Sequence, residues 1–196
     1  MLAPSAQRSP DRGDVGVEPR PLGFQTLSPY HGVDYREQLA NFAIYDSLVE
    51  AEEDFNIVPG LARSWEVSAD GKAITFNLVR GAKFHDGTDL NAEAVKWNFE
   101  RIQEPAFRAA TMRGLIGPYI ERVEVKDTYT VTVRLTKPYR PFLGHITMAY
   151  FRIISPAAWQ KLGEKGFGAN PTGTGPFKLK EWAPGSHVTL VRNADF

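Results

Sequence analysis

Four histidines, at positions 31, 85, 145 and 187, are the neutral nitrogen ligands this chain offers, and it contains no cysteine. No two of them stand three or four residues apart and none belongs to an HExxH pattern, so neither a preformed zinc site nor thiolate chemistry is expected. His85 and Asp86 could share a metal or a proton, which would make a small hydrolase with an unfamiliar site. Next to Gly87, the plainer expectation is turn chemistry, with the Asp86 carboxylate tying backbone amides. Gly173-Thr174-Gly175 is followed by Pro176 rather than by Gly-Lys-Ser/Thr, so it is expected to let two backbones approach closely, not to cradle phosphate. No Gly-x-Ser-x-Gly elbow is present, and the carboxylates of Glu52-Glu53-Asp54 fall on a polar, solvated loop. A chain rich in aromatics but short of catalytic groups suits ligand binding, with a purely structural or interaction domain as the remaining alternative, and of its tryptophans Trp65 and Trp182, in hairpin strands, are expected to cover a sheet face.

Lys plus Arg and Asp plus Glu number 23 each in 196 residues, and this zero net charge argues against a dedicated nucleic-acid binder. No apolar run approaches the roughly 18 residues of a membrane span. Nothing implies a cofactor or a resident metal.

The elements that must position these residues alternate between hairpins and helices, which predicts a mixed α/β (α+β) fold. Met1–Arg20 is rich in proline and charge, lacks the apolar stretch of a secretory signal, and with residue 21 is expected to be a disordered or artefactual tail. Leu22, Phe24 and Leu27 suggest a short strand. Asp34 could cap a helix over Tyr35–Asp46, with Leu39, Phe42, Ala43 and Tyr45/Asp46 bracketing its stripe and Arg36, Glu37 and Gln38 in water. Leu48-Val49 reads as a short strand. Hairpins are predicted over 64–78, 120–135 and 176–191, turning at Asp70-Gly71, Asp127-Thr128 and Pro184-Gly185. Asn91 caps the clearest helix, whose Val95, Phe99 and Ile102 share a face and whose Trp97 lies on the flank. Phe151–Ile154 alternates like a strand, and Pro156 opens a helix through Ala158 and Leu162. The chain closes on Arg192-Asn-Ala-Asp-Phe196, directly off a strand, which reads as a cut rather than a domain end.

Five stretches, taken in order, carry a resemblance. They are Asn56-Ile-Val-Pro-Gly-Leu-Ala-Arg-Ser-Trp65, Gly81-Ala-Lys-Phe-His-Asp-Gly87, Asn91-Ala-Glu-Ala-Val-Lys-Trp-Asn-Phe99, Gly173-Thr-Gly-Pro-Phe177 and Val191-Arg-Asn-Ala-Asp-Phe196. Together they resemble the family 5 extracellular solute-binding proteins, the peptide and nickel receptors of ATP-binding-cassette importers. The resemblance implies part of the first lobe of a two-lobe clamp over 22–196, with 48–155 as an inserted subdomain and 22–47 plus 156–196 as the base. It further implies a monomeric parent, exported or membrane-anchored, that captures peptides outside the cytoplasm and hands them to a membrane permease. A nickel-chelate receptor is the alternative within the family.

By the same resemblance, ligand contacts are expected at His31, Asp34 and Tyr35, at Arg108, and at Tyr150 and Arg152. Arg108 falls on an arginine position of nickel-type members. Near 150, where those members grip an anionic chelator with arginine, this sequence places Tyr150, with Arg152 close by. A tyrosine cannot replace a bidentate guanidinium, which weighs against a nickel chelate. Surface guanidinium groups are the plain alternative for both arginines. With one face of a clamp, the chain is expected to bind its solute weakly or not at all, and to be marginally stable and prone to association.

Overall fold

The computed structural model describes residues 15–17, 26–31, 35–104, 107, 109–184 and 186–196. Its elements run β1 (Val15–Val17), α1 (Tyr35–Ile44), β2 (Val49–Ala51), β3 (Ile57–Pro59), β4 (Ala62–Val67), β5 (Ala73–Leu78), α2 (Ala92–Gln103) and α3 (Ala110–Leu115). Then follow β6 (Ile120–Asp127), β7 (Thr130–Leu135), α4 (Phe142–His145), α5 (Pro156–Ala169), β8 (Phe177–Ala183) and β9 (His187–Arg192). The fold is mixed α/β, with every strand pair antiparallel. A four-stranded sheet has the order β4-β5-β7-β6, a three-stranded sheet the order β1-β9-β8, and β2 pairs with β3.

The three predicted hairpins are present as β4-β5, β6-β7 and β8-β9. Alternation sends Ile74, Phe76, Val131 and Val133 into the core. Thr75 and Thr132, directly opposite one another, pair their hydroxyls at 2.9 Å on the other face. Helix α2 packs across β6 and β7 with Val95, Phe99 and Ile102 buried. Its cap is the expected one: the Asn91 side chain accepts from the Ala94 amide at 2.9 Å.

Three expectations need amending. Val15–Val17 forms β1 and pairs with β9, in a stretch where composition predicts an unstructured tail. The segment after the 3-10 turn at Ala149–Phe151 is extended but belongs to no sheet. Its amides are satisfied elsewhere: Ile153 donates to the Asp46 carbonyl at 2.9 Å, Ile154 to the Asn98 side chain at 3.0 Å, and Ser155 to the Thr172 carbonyl at 3.0 Å.

Helix α1 is the third. Tyr45 and Asp46 are buried as the stripe requires and Ala43 is partly buried, but Leu39 and Phe42 are 43% and 42% exposed and Glu37 is buried, with Ala40, Asn41 and Ile44 forming the inner face. Tertiary contacts set the rotation. Glu37 accepts from the Thr26 amide at 3.4 Å, and Gln38 reaches the Tyr150 hydroxyl at 3.1 Å. The Gly173–Gly175 backbone lies against the helix end, where the Gly175 amide donates to the Ile44 carbonyl at 2.9 Å. Helix α5 runs beyond Leu162 to Ala169, interrupted at Gly163 (φ 67°, ψ 178°).

Candidate functional site

Residues 84–87 build a staple. Asp86 Oδ1 accepts from the Thr88 amide at 3.0 Å and the Thr88 hydroxyl at 2.6 Å. Its Oδ2 accepts at 2.6 Å from the Ser155 hydroxyl, which in turn caps α5 by accepting from the Ala158 amide at 3.0 Å. Burial works to raise the Asp86 carboxyl, but the hydrogen bonds from Ser155 and Thr88 outweigh it and hold the group below the usual carboxylate range. His85 meets the Gly175 carbonyl through Nε2 at 2.9 Å, and its amide donates to the Gly173 carbonyl at 2.8 Å. Burial pushes this imidazole below its ordinary value, with the Gly175 hydrogen bond opposing. The pair therefore ties the turn to α5 and to the entry of β8. Among the described residues, no group of three or more His, Asp or Glu could hold a metal ion.

Both shifts are downward, so the unfolded chain binds the extra proton first and the stabilisation fades on acidification. His85 should begin to lose its contribution as pH falls below its unfolded value near 6.5, and Asp86 only as pH falls through and below 3.8. Melting temperatures between pH 7 and 5 should fall more steeply for the wild type than for His85→Gln; equal slopes would refute the assignment.

A second assembly gathers around α1. Arg152, expected at worst as a surface guanidinium, is 1% exposed. Its Nη1 pairs with Glu50 Oε1 on β2 and lies 3.4 Å from Ser47 Oγ, and the Phe42 ring lies 4.4 Å from its Cζ. Its Nε and Nη2 are buried and have no hydrogen-bond partner among the described residues. A buried guanidinium edge without an acceptor is costly, and its two parallel donors match one carboxylate. Tyr150, two residues earlier, reaches the same helix, its hydroxyl accepting from Gln38 Nε2 at 3.1 Å, and Met148 is 41% exposed. The segment is set from behind by Asp46, whose carbonyl holds Ile153 and whose carboxylate accepts from Thr174 Oγ1 at 3.0 Å.

Of the predicted contacts, Tyr150 and Arg152 thus come together against α1. His31 lies instead in an aromatic cluster. Its ring meets Phe107 edge-on at 6.1 Å and its Nε2 lies 3.4 Å from Glu164. The Arg101 guanidinium is stacked there among Trp97, Phe107 and Trp159 at 4.7–4.9 Å. Asp34 and Arg108 lie outside the described residues, as does the side chain of Tyr35, whose backbone opens α1. Sequence reasoning missed Gln38, Phe42 and Glu50. The i,i+4 spacing of Gln38 and Phe42 was an available signal for the first two, whereas Glu50 is brought in only by the fold. A separate open groove of about 470 Å³, lined by Phe84, Asn91, Glu93, Trp97, Glu100 and Pro156 among others, includes none of the predicted contacts.

Comparison with known proteins adds to this geometry. Residues 56–196 match the family described as "Bacterial extracellular solute-binding proteins, family 5 Middle". The glutathione-binding protein GsiB of Escherichia coli K12 is 35% identical over 173 residues, covering 88% of this chain and 33% of that protein. The periplasmic binding protein DppA of Helicobacter pylori, solved with the peptide STSA, superposes with a TM-score of 0.79 at 30% identity, over 88% of this chain and 38% of that one. NikA of Brucella suis, solved with Fe(III)-EDTA, gives 0.74 at 30% identity, over 90% and 35%. The chain spans about a third of the length of the curated relatives it matches.

Proposed function

Because the chain belongs to the family 5 bacterial extracellular solute-binding proteins, we propose that it forms one wall of a solute cleft in a receptor that serves an ATP-binding-cassette importer outside the cytoplasm. The residues of that wall are Tyr150 and Arg152, held against α1, with His31, Asp34, Tyr35 and Arg108 as further contacts. The solute is a peptide or another small molecule bearing a carboxylate. The observation that carries this reading is the buried Arg152 fork, whose Nε and Nη2 have no protein acceptor among the described residues. Glutathione, a peptide and an EDTA chelate, the solutes named with three relatives, differ in size and shape but all carry carboxylates. A chelate is the second reading, supported by the NikA likeness.

The four-stranded sheet lies within 48–155 and the three-stranded sheet outside it, which supports an inserted subdomain on a base made of 22–47 and 156–196. The receptor works as a monomer that delivers its solute to a membrane permease. Among the described residues no helix is long and apolar enough to cross a membrane.

A single wall leaves much of a ligand in water, so binding to this chain is expected to be weaker than about 10⁻⁶ M. In amide and side-chain NMR titrations, glutathione, the peptide Ser-Thr-Ser-Ala and EDTA complexes should shift Tyr150 and Arg152 resonances, and the C-terminally amidated peptide should not. Equal shifts with acid and amide would overturn the carboxylate reading. Arg152→Lys should lose the response although the charge is kept, because an ammonium offers no planar fork.

A further inference from the structure

The Arg152 edge that suits a carboxylate is itself closed off from water, so something must move before any solute can reach it. Arg152 is 1% exposed, and both Nε and Nη2 are buried. Glu50, three-quarters buried at 24% exposure, engages Nη1 and with Ser47 anchors that end of the guanidinium. Glu50 is itself held by the Ser47 amide at 3.3 Å and the Ser47 hydroxyl at 3.0 Å, so this side of the group is fixed. Across the guanidinium lies Phe42, at 4.4 Å from Cζ, and it differs from the anchors in being 42% exposed. Leu39, three residues earlier on α1, and Met148 are exposed to a similar degree. At 42% exposure the Phe42 ring is in part bordered by solvent and not enclosed in the packed core.

We propose that Phe42 is the gate of this anion site: its ring covers the guanidinium while the site is empty and turns outward to admit a carboxylate to the Nε–Nη2 edge. This rests on the solute-binding reading given above and adds the residue that controls access. The physical case has two parts. An aromatic face over a guanidinium replaces some of the water it has lost, which lowers the cost of an edge with no acceptor. A phenylalanine has only two side-chain torsions and staggered alternatives, so an exposed ring can leave without disturbing the helix that carries it. Glu50 cannot serve as the gate, because swinging it away would strip a buried charge of its partner.

The test uses the whole chain, with Phe42→Ala to remove the cover and Phe42→Leu to keep bulk without the aromatic face. Hydrogen exchange at Arg152 Nε, read by NMR, reports opening alone. It should quicken by about tenfold or more in Phe42→Ala and by less in Phe42→Leu, as expected when a protecting group is deleted. Acetate, compared with chloride at equal ionic strength, then reports occupancy. It should shift the Arg152 Nε and Nη resonances, and at several-fold lower concentration in Phe42→Ala. Unchanged exchange in Phe42→Ala overturns the gate, whether or not acetate binds. Faster exchange with no acetate-specific shift in any variant keeps the gate and overturns the carboxylate reading on which its purpose depends.

Discussion

Replacing Asn98 by alanine is expected to destabilise the chain by about 3–5 kcal/mol, enough to lower the melting temperature by about 10 °C in a protein of this size. Asn98 is buried on α2 and uses its whole amide. Oδ1 accepts from the Tyr30 hydroxyl and from the Ile154 amide at 3.0 Å, and Nδ2 donates to the Ala94 carbonyl at 2.8 Å and the Ile154 carbonyl at 3.0 Å. Alanine leaves the Tyr30 hydroxyl and both backbone groups of Ile154 without this partner, and each such buried group costs about 1–3 kcal/mol. Burial holds the Tyr30 hydroxyl far above the ordinary phenol range, so it cannot escape by ionising at any ordinary pH. Tyr30→Phe should cost only about 1 kcal/mol, because it removes donor and need together. The double variant should then be less destabilised than the sum of the two, by about 1 kcal/mol or more, in a urea-denaturation cycle. Strict additivity would show that the two groups do not share the bond.

The second large effect is expected at the strand entry. A Cβ at Gly173 would run into the Ile44 carbonyl oxygen and the Tyr45 ring, and one at Gly175 would lie 2.6 Å from the Ala43 carbonyl oxygen. These are backbone and core atoms that cannot give way cheaply, so Gly173→Ala or Gly175→Ala should each cost about 3 kcal/mol, the upper part of the overpacking range. That corresponds to a melting temperature lower by about 6–12 °C. The same change at Gly87, where a Cβ would meet nothing within 4 Å, tests strain alone, since its φ is +84°. A Gly173→Ala variant that melts with the wild type would refute the close approach. The consequence reaches the site, because the Gly173–Gly175 backbone sets the end of α1, and α1 carries Gln38 and Phe42.

Local features of this fold are legible in the amino-acid order. The hairpins are marked by alternation ending at Asp70-Gly71, Asp127-Thr128 and Pro184-Gly185, and α2 by its Asn91 cap and its Val95–Phe99–Ile102 face. The glycines at 173 and 175 announce a close approach, although not what approaches. The hairpin turns and the helix cap depend on interactions within a few residues, so spacing alone specifies them. The five motif stretches, likewise readable in order, point to the family that the comparisons then show.

What decides the candidate site is of another kind. Which side of α1 faces the core depends on Thr26, Tyr150 and the 173–175 backbone, whereas helical spacing by itself places Leu39 and Phe42 inward and Glu37 in water. The strand-like stretch at 151–154 enters no sheet because Asp46 and Asn98 take its amides. Arg152 meets Glu50 across 102 positions of chain, and Asn98 meets Ile154 across 56. Residue types along the chain determined that an arginine, an asparagine and an exposed aromatic existed. Only packing determined that the arginine would be buried with one edge unmatched against a partly exposed ring, because burial and pairing are properties of segments brought together and carry no period that a sequence can display.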